Sequence, residues 1–219
     1  MTKIKICGIK TTADALMVAK YGVDYIGLVF APGRRQVDVK IAREIVDAVR
    51  AQSDTVDCVG VFVNSPAMAV NRIADDCGLD CVQLSGTESW ADCLEIRKPL
   101  IKTIHVPQGA GGSELNAAME MWARRLEGKP FRLLLDAGIP GRYGGTGQTF
   151  NWTKIKNISG KYPLIIAGGL HPGNVRDLIT QIHPWGVDVS SGAETNGIKD
   201  ANKIKAFISA VKESDEKTI

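Results

Sequence analysis

The feature that most constrains this chain is an alternation. Eight short runs rich in β-branched and apolar residues, at 3–7, 24–30, 56–63, 80–84, 100–105, 131–135, 164–167 and 187–190, are separated by stretches with helical spacing. Leu115, Ala118, Met119 and Trp122 follow i, i+3, i+4, i+7, and so do Ile204, Phe207, Ile208 and Val211. Ile41, Ile45, Ala48 and Val49 form a third apolar face. Ser65 with Pro66 reads as an N-cap and first-turn proline, and Gly22 and Gly78 stand where helices should end. Strict alternation implies parallel strands joined by helical crossovers. Eight such units predict an α/β fold, a single (β/α)8 TIM barrel over residues 1–219, although a doubly wound two-domain arrangement uses the same elements. The 219 residues allow about 27 per unit, close to the minimum for a strand, a helix and two short loops.

Composition narrows the partners. The formal charge of +3 comes from 27 basic and 24 acidic residues that are interleaved, so no nucleic-acid partner is expected. With 44% hydrophobic and 23% charged residues the chain is neither disordered nor fibrous. The longest uncharged apolar run, 25–32, is strand-sized, so no membrane association is expected. The N-terminus has no secretory pattern, and a cytoplasmic location follows as the expectation. Five cysteines (Cys7, Cys58, Cys77, Cys81, Cys93), with no C-x-x-C, read as reduced thiols and not as a disulfide framework or zinc site. His105, His171 and His183 lack ligand spacing, so no metal is expected.

In a barrel the chemistry sits at the C-terminal ends of the strands. Those positions carry Cys7, Arg34 and Arg35, Asn64, Gln83 and Ser85, His105, Asp136, Gly168 and Gly169, and Ser190, Ser191 and Gly192. The last two groups follow strands seven and eight, where barrels often bind phosphate through backbone N–H groups; glycine admits the anion and serine adds a donor. Tight turns alone would also explain them. Alternation puts Lys5 on the face of Cys7, inside the barrel, and a buried ammonium needs a partner. Strand eight closes against strand one and brings Asp188, so a Lys5–Asp188 ion pair is predicted. Cys7 is then either inert packing or a general base, and Asp136, after Leu133, Leu134 and Leu135, is either a loop carboxylate or an acid held protonated by apolar surroundings. The glycine-rich run 141–149 has Gln148 where a Walker loop needs lysine and reads instead as a loop covering the site. The run 108–112 reads as a connector.

Taken in register, several segments resemble the phosphoribosylanthranilate isomerase family. They are Lys5-Ile6-Cys7-Gly8-Ile9, Gly60-Val61-Phe62-Val63-Asn64, Val82-Gln83-Leu84, Leu134-Leu135-Asp136, Tyr143-Gly144-Gly145-Thr146-Gly147-Gln148-Thr149-Phe150, Ala167-Gly168-Gly169-Leu170 and Val187-Asp188-Val189-Ser190-Ser191-Gly192. The resemblance implies a cofactor-free Amadori rearrangement in tryptophan biosynthesis, with a small phosphoribosyl substrate. It implies Cys7 as general base, Asp136 as general acid, Arg35 on the anthranilate carboxylate with Arg34 as the alternative, and Gln83 at the substrate. Phosphate would fall on Gly168, Gly169, Ser190, Ser191 and Gly192. The chain departs from the family pattern at Ser85, where a histidine is usual, and at Asn151, where aspartate is common; His105 is a candidate to compensate. No exposed apolar helix demands a partner copy, so a monomer or homodimer is expected.

Overall fold

The structure, a computed structural model, describes residues 1–107, 109–137, 149–156 and 160–216. Its eight main strands are β1 (Lys3–Cys7), β2 (Tyr25–Val29), β3 (Asp57–Phe62), β4 (Cys81–Leu84), β5 (Leu100–Val106), β6 (Phe131–Ala137), β7 (Leu164–Ile166) and β8 (Gly186–Val189). They form a closed barrel in sequence order. The pairings are parallel, and closure comes from β1 against β8 with Lys5 opposite Asp188. The α/β barrel expected from the alternation is therefore the fold, and the doubly wound alternative is not.

Around the barrel lie α1 (Thr12–Lys20), α2 (Val39–Gln52), α3 (Ala67–Cys77), α4 (Trp90–Glu95), α5 (Gly112–Arg125), α6 (Val175–Ile182) and α7 (Ala201–Glu216). Between β6 and β7 the described residues hold only a 3₁₀ turn, Trp152–Ile155, where an eighth helix was expected; Asn151 Oδ1 accepts from Thr153 N and starts it. After β8 come a 3₁₀ turn, Ser191–Ala193, and a small hairpin of β9 (Glu194–Thr195) and β10 (Ile198–Lys199). Of the glycine-rich run 141–149 expected to cover the site, all but Thr149 lie outside the described residues.

Alternation along the strands divides the apolar residues between two cores. Ile4, Ile6, Ile26, Leu28 and Val82 face outward and pack with the helices, including all of Ile204, Phe207, Ile208 and Val211 of α7. Tyr25, Val59, Cys81, Ile101, Leu134, Ile165 and Ala167 fill the barrel interior. Beneath them Arg132 stacks over Trp185 at 4.6 Å and Tyr25 at 5.9 Å, which floors the barrel with aromatic rings.

Three local expectations need correction. The buried face of α2 is Ala42, Ile45, Val46 and Val49, so the face is rotated from the one drawn through Ile41, which is 38% exposed. Ala42 is fully buried, and Ile41 is left on the flank. At α3, Pro66 is the N-cap and its side chain accepts no capping hydrogen bond, so Ser65 lies one residue outside the cap. The 108–112 connector is shorter than drawn, because Gly112 begins α5. Gly78 ends α3 with φ of +68°, the left-handed cap that glycine reaches without strain.

Candidate active site

The barrel mouth encloses a cavity of about 750 Å³. Its walls include Cys7, Arg34, Arg35, Gln83, Ser85, His105, Asp136, Gly168, Gly169, Ser190 and Ser191. Sequence-derived positions from seven of the eight strand ends thus converge on one space. Two do not line it. Asn64 ties the β3 and β4 loops together, its Oδ1 accepting from Thr87 N at 2.7 Å. Gly192 packs against β7's loop: a Cβ there would lie 1.9 Å from the Leu170 carbonyl oxygen.

Cys7 ends β1 with its side chain inward, above Lys5. Two glycines make the room. A Cβ on Gly27 would meet Cys7 Sγ at 2.8 Å and Lys5 Nζ at 3.0 Å, and one on Gly8 would meet Arg35 Cδ at 2.3 Å. Lys5 is 1% exposed, and its Nζ donates to Asp188 Oδ1 at 3.1 Å, the predicted pair. Burial opposes the Lys5 charge, but Asp188 and Cys7 outweigh it and leave the pKa raised. Burial pushes the Cys7 thiol up; Lys5 and Lys199 pull it back only in part, while Asp188 adds to the rise. Burial also drives up the other thiols, Cys58 and Cys81 to about 12 and Cys77 and Cys93 to about 11, but none of these four lines the cavity.

Asp136 stands near the end of β6, beside His105 of β5 in the strand register. Burial lifts its carboxyl to about 6; His105 and Lys5 oppose the rise and Asp188 adds to it. Gly168, at φ of +86°, leaves space for it, since a Cβ there would lie 2.8 Å from Asp136 Oδ1. Gly169 also has positive φ, at +61°, so successive backbone N–H groups can form an anion-binding concavity. Ser190 and Ser191 face it from the neighbouring β8 loop.

The opposite wall is neutral. Gln83 Nε2 donates to Ser85 Oγ at 2.9 Å, and Ser85 Oγ lies 2.9 Å from Thr103 Oγ1. Gln83 Oε1 is buried with no protein partner. The His105 ring lines the cavity, with Nε2 2.8 Å from the Ser85 carbonyl oxygen. Ser85 therefore leaves the place of a larger side chain to a hydroxyl network, with His105 reaching across from β5.

Two functional-looking residues escaped the sequence reading. Glu194, 7% exposed, takes Arg35 in a two-point bond, Nε to Oε1 at 2.7 Å and Nη2 to Oε2 at 2.8 Å. Burial resists its charge, yet Arg35 and Lys199 hold its carboxyl down at about 2. Arg34 reaches the same carboxylate at 3.3 Å, but its side chain is 58% exposed against 13% for Arg35. Lys199 is the second. It comes from the hairpin after β8, where the turn is made by Asn196 and Gly197 at φ of +52° and +80°. The signal was a Gly-Ile-Lys run too short for any periodicity. Among the described residues, no group of three His, Cys, Asp or Glu side chains is placed to hold a metal ion, and no helix is long and apolar enough to cross a membrane.

Comparison with known proteins agrees with this geometry. The family model for N-(5'-phosphoribosyl)anthranilate (PRA) isomerase matches residues 4–210. The chain is 43% identical to the N-(5'-phosphoribosyl)anthranilate isomerase of Dehalococcoides mccartyi over 215 residues, 98% of each chain. It is 42% identical to that of a Roseiflexus species, covering 97% of this chain and 98% of the relative. The crystal structure of the Thermotoga maritima phosphoribosylanthranilate isomerase superposes with a TM-score of 0.84 at 34% identity, covering 97% of this chain and all of that one. A solved phosphoribosylanthranilate isomerase in complex with reduced 1-(o-carboxyphenylamino)-1-deoxyribulose 5-phosphate superposes at 0.81 with 33% identity, again over 97% of this chain. A match spanning nearly the whole chain, with the strand-end residues gathered round one cavity, means that the chain belongs to the phosphoribosylanthranilate isomerase family.

Proposed function

We propose that this chain isomerises N-(5-phosphoribosyl)anthranilate to 1-(2-carboxyphenylamino)-1-deoxyribulose 5-phosphate, with Asp136 as general acid and Cys7 as general base. The observation that carries the reading is one cavity holding two titratable groups in different surroundings. Asp136 has its pKa raised to about 6, and Cys7 sits over a buried ammonium. Asp136 gives its proton to the furanose ring oxygen as the C1′–O bond breaks, and the nitrogen lone pair completes an iminium. Cys7 thiolate then takes the C2′ proton, and the C–H electrons form C1′=C2′ and return the pair to nitrogen. The resulting enolamine tautomerises to the ketone.

The two ends of the substrate explain the rest of the rim. Gly168, Gly169, Ser190 and Ser191 would hold the phosphate dianion through backbone N–H groups and hydroxyls, and Gly192, outside the cavity, would let their turn close against Leu170. Arg35 would hold the anthranilate carboxylate on the guanidinium edge that Glu194 leaves available. Gln83 lies across the barrel from β8, on the wall away from the phosphate, and its unpaired oxygen suits a substrate donor.

The test is anthranilate fluorescence, with substrate generated in situ. Cys7→Ala and Asp136→Asn should each lose about 10²- to 10⁴-fold in turnover. Unimpaired turnover in either variant sinks its assigned role. The pH profile gives a sharper check. Chemistry needs thiolate together with carboxylic acid, and the thiol pKa lies above the carboxyl pKa. Below pH 6 only the thiolate fraction varies, so kcat/KM rises about tenfold per unit. Above 6 the loss of acid cancels the gain in thiolate and the profile levels. Residual Asp136→Asn activity should keep rising through pH 6.

A further inference from the structure

We infer that Lys199 is a positioning residue that joins three parts of the site: the base, the phosphate turn and the carboxylate arginine. This rests on the functional reading above and concerns a residue outside the set that reading uses. Lys199 Nζ donates three hydrogen bonds, to the Cys7 carbonyl at 2.6 Å, to the Ser190 carbonyl at 3.0 Å and to Glu194 Oε1 at 3.0 Å. An ammonium has three protons, and all three are used. Its side chain is 3% exposed, and Ser190 Oγ adds a second bond to the same Cys7 carbonyl at 3.0 Å.

The three acceptors belong to different tasks. The Cys7 carbonyl fixes the backbone that aims the thiol. The Ser190 carbonyl sits in the turn offered to phosphate. Glu194 is the carboxylate that sets the Arg35 guanidinium, and Gly8 permits the Arg35 chain to pass across the end of β1. Two parallel strands meet here: β1 ends at Cys7 and β8 at Val189, one residue before Ser190, whose carbonyl also accepts from Ala193 N at 3.2 Å. Lys199 binds the Cys7 and Ser190 carbonyls at once. A phosphate pulling on the Ser190 turn therefore acts on Cys7 and on Arg35 through one rigid ammonium, so grip at one end of the substrate is linked to aim at its centre.

The role predicts a pattern that loss of stability alone would not produce. Lys199→Met, assayed well below its thermal transition, should lose about 10²-fold in kcat, the cost of misplacing a reacting group by roughly 1 Å. It should also bind both half-ligands, inorganic phosphate and anthranilate, more weakly. Glu194→Gln should weaken anthranilate while leaving phosphate affinity near wild type. Lys199→Arg, which keeps charge and donors, should recover most of the kcat. Lys199→Met with phosphate affinity unchanged and kcat within about threefold of wild type, while Cys7→Ala is inactive, overturns the proposal. If Lys199→Met does not fold, Lys199→Met/Glu194→Gln removes both buried charges and carries the same comparison. Should the wild type show no isomerase turnover, the functional reading fails, but the phosphate measurement still decides whether Lys199 holds the turn.

Discussion

Lys5 and Lys102 stand on strands β1 and β5 with 1% and 2% exposure, and each meets one carboxylate, Asp188 at 3.1 Å and Glu88 at 2.5 Å. Their surroundings differ in direction. Lys5 points into the barrel beneath Cys7, so its charge acts on the thiol proposed above as the base. Lys102 points outward, 5.3 Å from the Trp122 ring on α5, and donates to the Gly86 carbonyl at 3.1 Å. Its partner Glu88 accepts from Asn64 N at 2.9 Å and Gly86 N at 3.0 Å, which pins the loops after β3 and β4. The same pair of residue types thus does electrostatic work on one side of the sheet and holds backbone on the other. A buried ion pair is weak evidence for stability by itself, and what it faces decides its use.

That contrast can be broken experimentally. Lys5→Met should have the largest effect: kcat at least ~10²-fold lower, because a buried thiol without the neighbouring ammonium ionises less, together with a loss of about 3–5 kcal/mol from stranding Asp188. Urea unfolding and the fluorescence assay measure the two, and wild-type turnover would show that Cys7 does not depend on Lys5. Lys102→Met should cost a similar ~3–5 kcal/mol in unfolding while kcat, read below the transition, stays within about threefold. A kcat loss as large as that of Lys5→Met would erase the distinction between the two pairs. Lys3→Met is the smallest and serves as the control on the same strand. Its 2.7 Å pair with Asp24 is 46% and 28% exposed, so less than ~1 kcal/mol and no change in turnover are expected.

Much of this was legible because the relevant signals are periodic. Strand runs could be placed to within two residues at either end, since apolar stretches on parallel strands are continuous. The Lys5–Asp188 pair followed from alternation plus closure. What escaped depends on chain geometry that spacing does not encode. The face of α2 was misread because Ile41 outranks Ala42 in hydrophobicity, whereas close packing prefers the smaller residue. The six residues Glu194 to Lys199 carry no periodic signal; only the positive-φ turn at Asn196 and Gly197 folds both charges back under the mouth. Ser85 was visible as a departure, but not its bond to Thr103, which needs β4 and β5 side by side.

Closure of the barrel through β1 and β8 has a consequence in time. Lys5 and Asp188 are 183 positions apart, and Lys199 lies 192 positions from the carbonyl it holds. Neither bond can exist while the last strand is still missing, whether during synthesis or in a fragment that ends before it. Contacts of such separation are costly to close and tend to form late. An N-terminal piece that already contains Cys7, Lys5 and Asp136 would therefore lack Asp188, which pairs Lys5, and Lys199, which holds the Cys7 carbonyl, and activity should arrive in one step with the final βα unit, not grow with chain length.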